Sequence, residues 1–490
     1  MSSSSTPPEE RPLPPLYRFR QRLAKAEIVC PDDLRGRHFH FKNIKFQGSG
    51  VYNICYQVSQ NRELQENAVC KLIRFNPANI EGRVVDEDDP TRPENVEAAA
   101  FDIFQKFLLS GRCPHLPLVF CQQHCEDTRI LELNDIPVQG YGYQQIMRKR
   151  QATLYQETNT VTVLPQAASI LPLPLPLPQH PVSVRVPVNN PPVVERANII
   201  LAEYGWSGTL DEWLWKHIGK QDTPHKLRTV IFQVLFTIGF LLDQFDSSFR
   251  HNDLGPSNIL IQEYPPKDGT YFAYCLRDQL FIVPDIGIRS FIWDFDFVNA
   301  NNRPGLQNAK VFGGKYQSGY GISTAEDPRF DLHYFLNSLY VAMSTQSQYF
   351  PPPPPTADRW PLYWSFWVFL ELALPSGYRG PKTDKVVNHR LAMYAPREDL
   401  PTPIDAMMLP YFHAFHGNKH LFASSAVVGR FNCESRWPQI QRPDLELEEV
   451  EEGEIVDYGG AGAGVGGGGG RTEISRFGSF FTMGRSRPKK

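Results

Sequence analysis

The stretch from His225 to Ile261 constrains this chain most. Residues 225–245 place Leu227, Val230, Ile231, Val234, Leu235, Ile238, Leu241, Leu242 and Phe245 at helical spacing, a stripe broad enough to need packing partners around most of the helix. The chain then turns polar, RHNDLGPSN, and returns at once to apolar ILI. A buried helix that runs into a short polar loop fixes Asp253 and Asn258 five residues apart, and Asp294 follows in IWDFDF, an apolar run that reads as a strand end.

The rest of the composition allows a unit large enough to bury that helix. With 490 residues and 41% hydrophobic content, the chain can hold one two-lobed unit or two to three ordinary domains. A formal charge of −3 gives no general basic field and disfavours a nucleic-acid binder. The first fifteen residues lack the apolar centre of a signal peptide. The closest approach to a membrane span, PLYWSFWVFLELALP at 361–375, is short, contains Glu371 and reads better as a buried helix. The expectation is a soluble intracellular chain in a reducing compartment. Eight cysteines form no disulfide framework; only Cys113, Cys121 and Cys125 lie close together, with His124 among them, and buried thiols are preferred there over a metal site.

In chain order, residues 1–15 are Ser/Pro/Glu-rich, and Tyr17, Arg18, Phe19, Arg20 and Arg22 alternate basic with aromatic character. FKNIKFQGSGVYNICYQV reads as two strands joined at Gly48-Ser49-Gly50, and NAVCKLIRF as a third strand carrying Lys71. Glycines in such a turn let backbone N–H groups approach phosphate oxygens, and a lysine 23 residues after Gly48 can pair with phosphates. NVEAAAFDIFQKFLL has helical spacing and places Glu97 where it can hold Lys71, with Glu94 as the alternative. Residues 115–147 give short β-like runs. Between about 150 and 195, LPLPLPLP and VPVNNPP form a proline-rich insertion, read as either a partner-docking segment or a spacer. ANIILAEYG then reads as a strand and hinge, with Glu203 and Gly205 offering backbone groups to an adenine edge.

An acid for a hydroxyl proton, with an amide and a second carboxylate for Mg2+, are the parts that phosphoryl transfer from ATP requires. GSGVYN (Gly48, Ser49, Gly50, Val51), AVCK, Glu97, AEYG, HNDLGPSN and WDFD, in that order, resemble the protein-kinase set of motifs over roughly residues 41–345, in the divergent form found in large DNA viruses. The resemblance implies an α+β, bilobal fold with a small β-rich N-lobe and a larger helical C-lobe. It implies a Ser/Thr protein kinase that uses ATP and Mg2+ on protein substrates. By position, Asp253 would accept the hydroxyl proton, Asn258 and Asp294 would hold Mg2+, Lys71 braced by Glu97 would hold the phosphates, and Asp331 would support the catalytic loop.

Four features depart from the family pattern. Asn53 replaces a glycine, Asn252 replaces an arginine that grips an activation-loop phosphate, and Asp296 replaces the glycine of the metal motif. The 41 residues from Asp253 to Asp294 leave room for an inserted hairpin at about 262–291. Asp296 is open between an additional carboxylate near metal and a structural acceptor. HNDL followed by Asp-Phe-acid also resembles choline and aminoglycoside phosphotransferases, and a pseudokinase scaffold is a further alternative.

The domain reading is a 1–40 extension, an N-lobe at 41–205, a C-lobe at 206–435 and a flexible tail at 436–490. His413, His416 and His420 read as surface, since Gly417 interrupts their helical spacing. The tail joins an acidic run, a glycine linker and a basic end. That end, RSRPKK, offers a nuclear-import or acidic-partner patch, and Ser475, Ser479 and Ser486 lie near arginines as candidates for self-phosphorylation.

Overall fold

The computed structural model describes residues 43–49, 53–59, 67–75, 86, 88–125, 197–205, 207–218, 220–312, 316–317, 320–345, 361–417 and 419–433. The N-terminal extension, the proline-rich insertion and the tail, with the docking and phosphorylation readings attached to them, lie outside the described residues.

Five antiparallel strands make the first layer: β1 (Asn43–Ser49), β2 (Asn53–Ser59), β3 (Asn67–Arg74), β4 (Val119–Cys125) and β5 (Ala197–Glu203), in the order β1-β2-β3-β5-β4. β3 is central, which suits its run of small and branched apolar residues, and β1 bulges between Phe46 and Gly48. Helix α1 (Pro93–Leu109) packs beside this sheet and starts with proline, whose missing N–H costs nothing in a first turn. Its Val96, Ala100, Phe101 and Phe104 are buried.

After α2 (Leu210–His217) comes α3 (Thr223–Gln244), the centre of the second part. Among the described residues α3 is the one helix long and apolar enough to cross a membrane by length and composition, and most of it is buried inside the fold. The sequence pointed instead to 361–375, which forms α5 (Pro361–Ala373) beyond α4 (Phe330–Ser344). Phe232 and Phe236 of α3 pack on Tyr274, and Phe232 also meets Phe281, Phe412 and Phe415. That core holds the short strands β6 (Phe249–Arg250) and β7 (Ile259–Glu263) in place on either side of the HNDLGPSN loop.

Between β7 and its antiparallel partner β10 (Ile288–Ile292), the chain makes the hairpin β8 (Tyr271–Leu276) and β9 (Gln279–Pro284). β11 (Asn299–Ala300) pairs with β6, and β12 (Val386–Val387) with β13 (Arg390–Leu391). The last strand, β14 (Val427–Phe431), runs parallel to β8 and brings Cys433 to Cys275 across 158 residues, with Cα atoms 4.9 Å apart. The two sulfurs form a disulfide, which corrects the expectation of thiols only. Sequence spacing gave no sign of it because the contact depends on a long-range parallel pairing.

Candidate active site

β3 lies between β2 and β5, and its pleat puts Lys71 on the covered face, fully buried. An ammonium in that position needs partners. Nζ lies 3.1 Å from Glu97 Oε1 and 3.0 Å from Asp294 Oδ1, and 5.4 Å over the Trp293 ring. Three separate stretches therefore meet on one nitrogen. Glu97 Oε1 also accepts the Phe295 N–H at 2.7 Å, which ties α1 to the segment carrying Asp294. Burial pushes the Glu97 carboxyl up to about 7, against the opposing pull of the Lys71 ammonium and the Phe295 N–H. Burial acts to lower Lys71, but Asp294 and Glu97 outweigh it and hold the ammonium above its ordinary range. Glu94 instead pairs with Arg92 at 3.1 Å.

The HNDLGPSN loop is pinned from below. Asp331, buried at the start of α4, accepts the N–H groups of His251 at 2.6 Å and Asn252 at 2.8 Å. Asn252 sits at φ 65°, a left-handed conformation that asparagine tolerates, and its Nδ2 donates to Phe297 O at 2.9 Å. Arg250, two residues before Asn252, donates to Ser323 Oγ at 2.8 Å and to Ala325 O at 3.0 Å. Asp294 also has positive φ, 68°, a strain of about 1 kcal/mol or more that the surrounding contacts must hold in place.

Asp253 accepts from Arg390 Nη2 and, at 3.2 Å, from Asn258 Nδ2. Burial moves its carboxyl up; the arginine and His251 act downwards and Asp294 upwards. Asn258 Nδ2 also donates to Asp253 O at 2.8 Å, which turns the amide oxygen the other way. That Oδ1 is buried without a hydrogen-bond partner among the described residues. A buried carbonyl oxygen left open near a carboxylate suits a hard cation such as Mg2+, which takes oxygen ligands. Asn258 and Asp294 thus fit a metal by their donor chemistry.

Gly48 and Ser49 lie at the end of β1, whereas Gly50 and Val51 lie outside the described residues. Glu203 ends β5, and its carboxylate is engaged inside the protein: Arg289 Nη1 and Nη2 lie 2.7 and 2.9 Å from it, and the Leu118 N–H lies 2.8 Å away. Its own N–H bonds Leu118 O. Gly205 passes close to β7, where an added Cβ would lie 2.7 Å from Leu260 Cβ. Asp296 pairs with Lys310 Nζ, the structural acceptor of the two readings. Cys121, His124 and Cys125 sit on β4, and His416 Nε2 lies 3.4 Å from Met407 O. Among the described residues no group of three or more His, Cys, Asp or Glu could hold a metal.

Sequence reasoning missed Arg289, Arg390, Lys310 and Arg250. Each meets its partner across 14 to 137 residues; Arg250 opens the RHNDLGPSN stretch, while the other three lie in segments with no motif of their own.

No family model matches the chain. It is 25% identical over 252 residues to an Acanthamoeba polyphaga mimivirus protein described as a "putative serine/threonine-protein kinase", covering 51% of this chain and 46% of that one. A second mimivirus protein of the same description is 35% identical over 74 residues, 14% of this chain and 18% of the relative. The chain therefore spans less than half the length of the relatives it matches. The BubR1 kinase domain aligns over 52% of this chain and 46% of its own at 10% identity with a TM-score of 0.25, too loose a superposition for residue correspondence. By sequence, then, the chain is a distant homologue of the two mimivirus proteins.

Proposed function

We propose that the chain is an ATP-dependent protein kinase acting on Ser/Thr hydroxyls, built as a bilobal kinase fold with its active site between the β1–β5 sheet and the α3 core. The observation that carries this reading is the meeting of Glu97 and Asp294 on Lys71, beside an Asn258 oxygen left open for a cation. When bound, ATP with Mg2+ supplies the phosphoryl group and neutralises charge on its oxygens. Lys71, held by Glu97, orients the phosphates, and Gly48 with its neighbours covers them. Asn258 and Asp294 would hold the metal. Asp253, open at 16% side-chain exposure, accepts the proton of the incoming hydroxyl.

This chemistry depends on position and electrostatics, so loss of one such group costs about 100-fold or more. The test offers the purified chain radiolabelled ATP with a generic protein substrate, and separately with choline and with an aminoglycoside, alongside Asp253→Asn and Asn258→Ala. Label on protein serine or threonine that falls about 100-fold in both variants is the expected result. Label on a small molecule alone makes the chain a small-molecule phosphotransferase, and no transfer at all makes it a scaffold.

A further inference from the structure

The HNDLGPSN loop contains no lysine or arginine after Asp253, yet the Asp253 carboxylate has a guanidinium against it. That group comes from the β12–β13 hairpin, 137 residues further on. The hairpin is built to place it. Asn388 and His389 both have positive φ, 49° and 67°, as a two-residue type I′ connection requires, so Val387 faces Arg390 with fixed register. Leu391 is buried with Phe330, Tyr378 and Leu400, while Asn337 of α4 donates to His389 O at 2.9 Å and to Gly380 O at 2.8 Å.

Arg390 then lies flat over the Tyr334 ring at 4.0 Å, sends Nε to Asn252 O at 3.3 Å, Nη1 to Asn388 O at 3.4 Å and Nη2 to Asp253 Oδ1. Its side chain is only 10% exposed. A guanidinium stacked and bonded on three sides has little freedom, so the carboxylate it holds is fixed too.

We propose that Arg390 is a positioning residue for the transfer reaction, holding the Asp253 carboxylate aimed at the acceptor hydroxyl. This rests on the reading of Asp253 as proton acceptor. The groups facing Asp253 are Arg390 of β13, His251 and Asn258 of its own loop, Asp294 beyond β10 and Tyr334 of α4. Without Arg390 the carboxylate loses the contact that joins it to the β12–β13 hairpin, and its rotamer is no longer fixed towards the hydroxyl.

Arg390→Met and Arg390→Lys, each checked for an unchanged unfolding midpoint, are compared with the intact protein in kcat and in KM for ATP. Arg390→Met is expected to lower kcat about 10-fold or more and to leave KM for ATP within about two-fold. Arg390→Lys, which keeps a donor for Asp253, recovers most of the lost kcat. Should Arg390→Met unfold, the decision falls to Arg390→Lys alone, which must keep kcat within about three-fold. Unchanged kcat in a folded Arg390→Met, a changed KM with unchanged kcat, or a loss of kcat that Arg390→Lys does not recover overturns the inference and leaves the kinase reading intact. Absence of transfer by the unsubstituted protein, or full activity in Asp253→Asn, overturns both.

Discussion

Arg289 supports the end of β5, and removing it should cost far more than removing its partner. Its guanidinium grips Glu203 with two nitrogens, at 2.7 and 2.9 Å, and donates to Pro114 O at 2.8 Å, Leu116 O at 3.1 Å and Gln262 Oε1 at 3.1 Å. The two ends of the pair differ in exposure: the Glu203 side chain is 1% exposed and that of Arg289 22%. Arg289→Met therefore strands a carboxylate that water cannot reach. Stranding a buried charge costs ~3–5 kcal/mol. The lower figure applies here because the Leu118 N–H remains, and the two freed carbonyls add ~1 kcal/mol, for about 4 kcal/mol in all. Glu203→Gln keeps an acceptor for the Leu118 N–H and leaves an arginine that can still reach solvent, so about 1–2 kcal/mol is lost. Combined with Glu203→Gln, Arg289→Met leaves no stranded charge. The double variant should lose no more than Arg289→Met alone, a coupling of about 1–2 kcal/mol or more. Urea unfolding at pH 7.5 measures all four proteins. Equal costs for the two single changes, or a double variant equal to their sum, would refute the assignment of the cost to a stranded Glu203.

Three further outcomes follow from other parts of the fold. Reducing Cys275–Cys433 opens a 158-residue loop, for which chain entropy sets a ceiling of about 5 kcal/mol; the melting temperature should fall with reductant, Cys433→Ser should be reductant-insensitive, and a wild-type protein equally insensitive would show the bond to be without effect. Burial drives the His115 imidazole down to about 3, with Arg289 acting the same way, so the fold refuses a proton that the unfolded chain accepts below pH 6.5. That contribution is present at pH 7.5 and reaches a loss of about 2 kcal/mol at pH 5. Glu97, raised to about 7, acts oppositely in the same window, so the test is the difference between wild type and His115→Gln, and a difference independent of pH would refute it. Asp331→Ala leaves the buried N–H groups of His251 and Asn252 without their acceptor, a loss of about 3 kcal/mol with faster amide exchange at those two positions; a loss under ~1 kcal/mol would show the loop to be held by other contacts.

Much of the local architecture is legible because its signals are local. NAVCKLIRF is read as a strand and is β3, and the apolar stripe at 225–245 is α3, Thr223–Gln244. Lys71 and Glu97 each sit on an element whose periodicity fixes the side chain's face, whereas Asp294 lies beyond the end of β10 at positive φ, where periodicity gives no face. Arg390 and Arg289 carry no such signal. One follows a two-residue turn far beyond the motif region, and the other lies in IRSFI, where strand alternation gives a face but no partner. Glu203 was legible as a strand end but not as the occupant of a buried ion pair. Nor was Cys275–Cys433, since a parallel pairing of β14 with β8 leaves no turn to announce its register.

The missed residues share a physical role. Glu97, Asp253 and Asp296 all lie near Asp294, and carboxylates this close and this covered would repel one another without compensation. Lys71 serves Glu97 and Asp294, Lys310 serves Asp296, and Arg390 serves Asp253, so among the described residues three cations meet four acids. The motif lysine alone cannot hold that set. Lys310 and Arg390 arrive from segments after Asp296, so these acids have their cations only once the chain beyond residue 300 has folded against them.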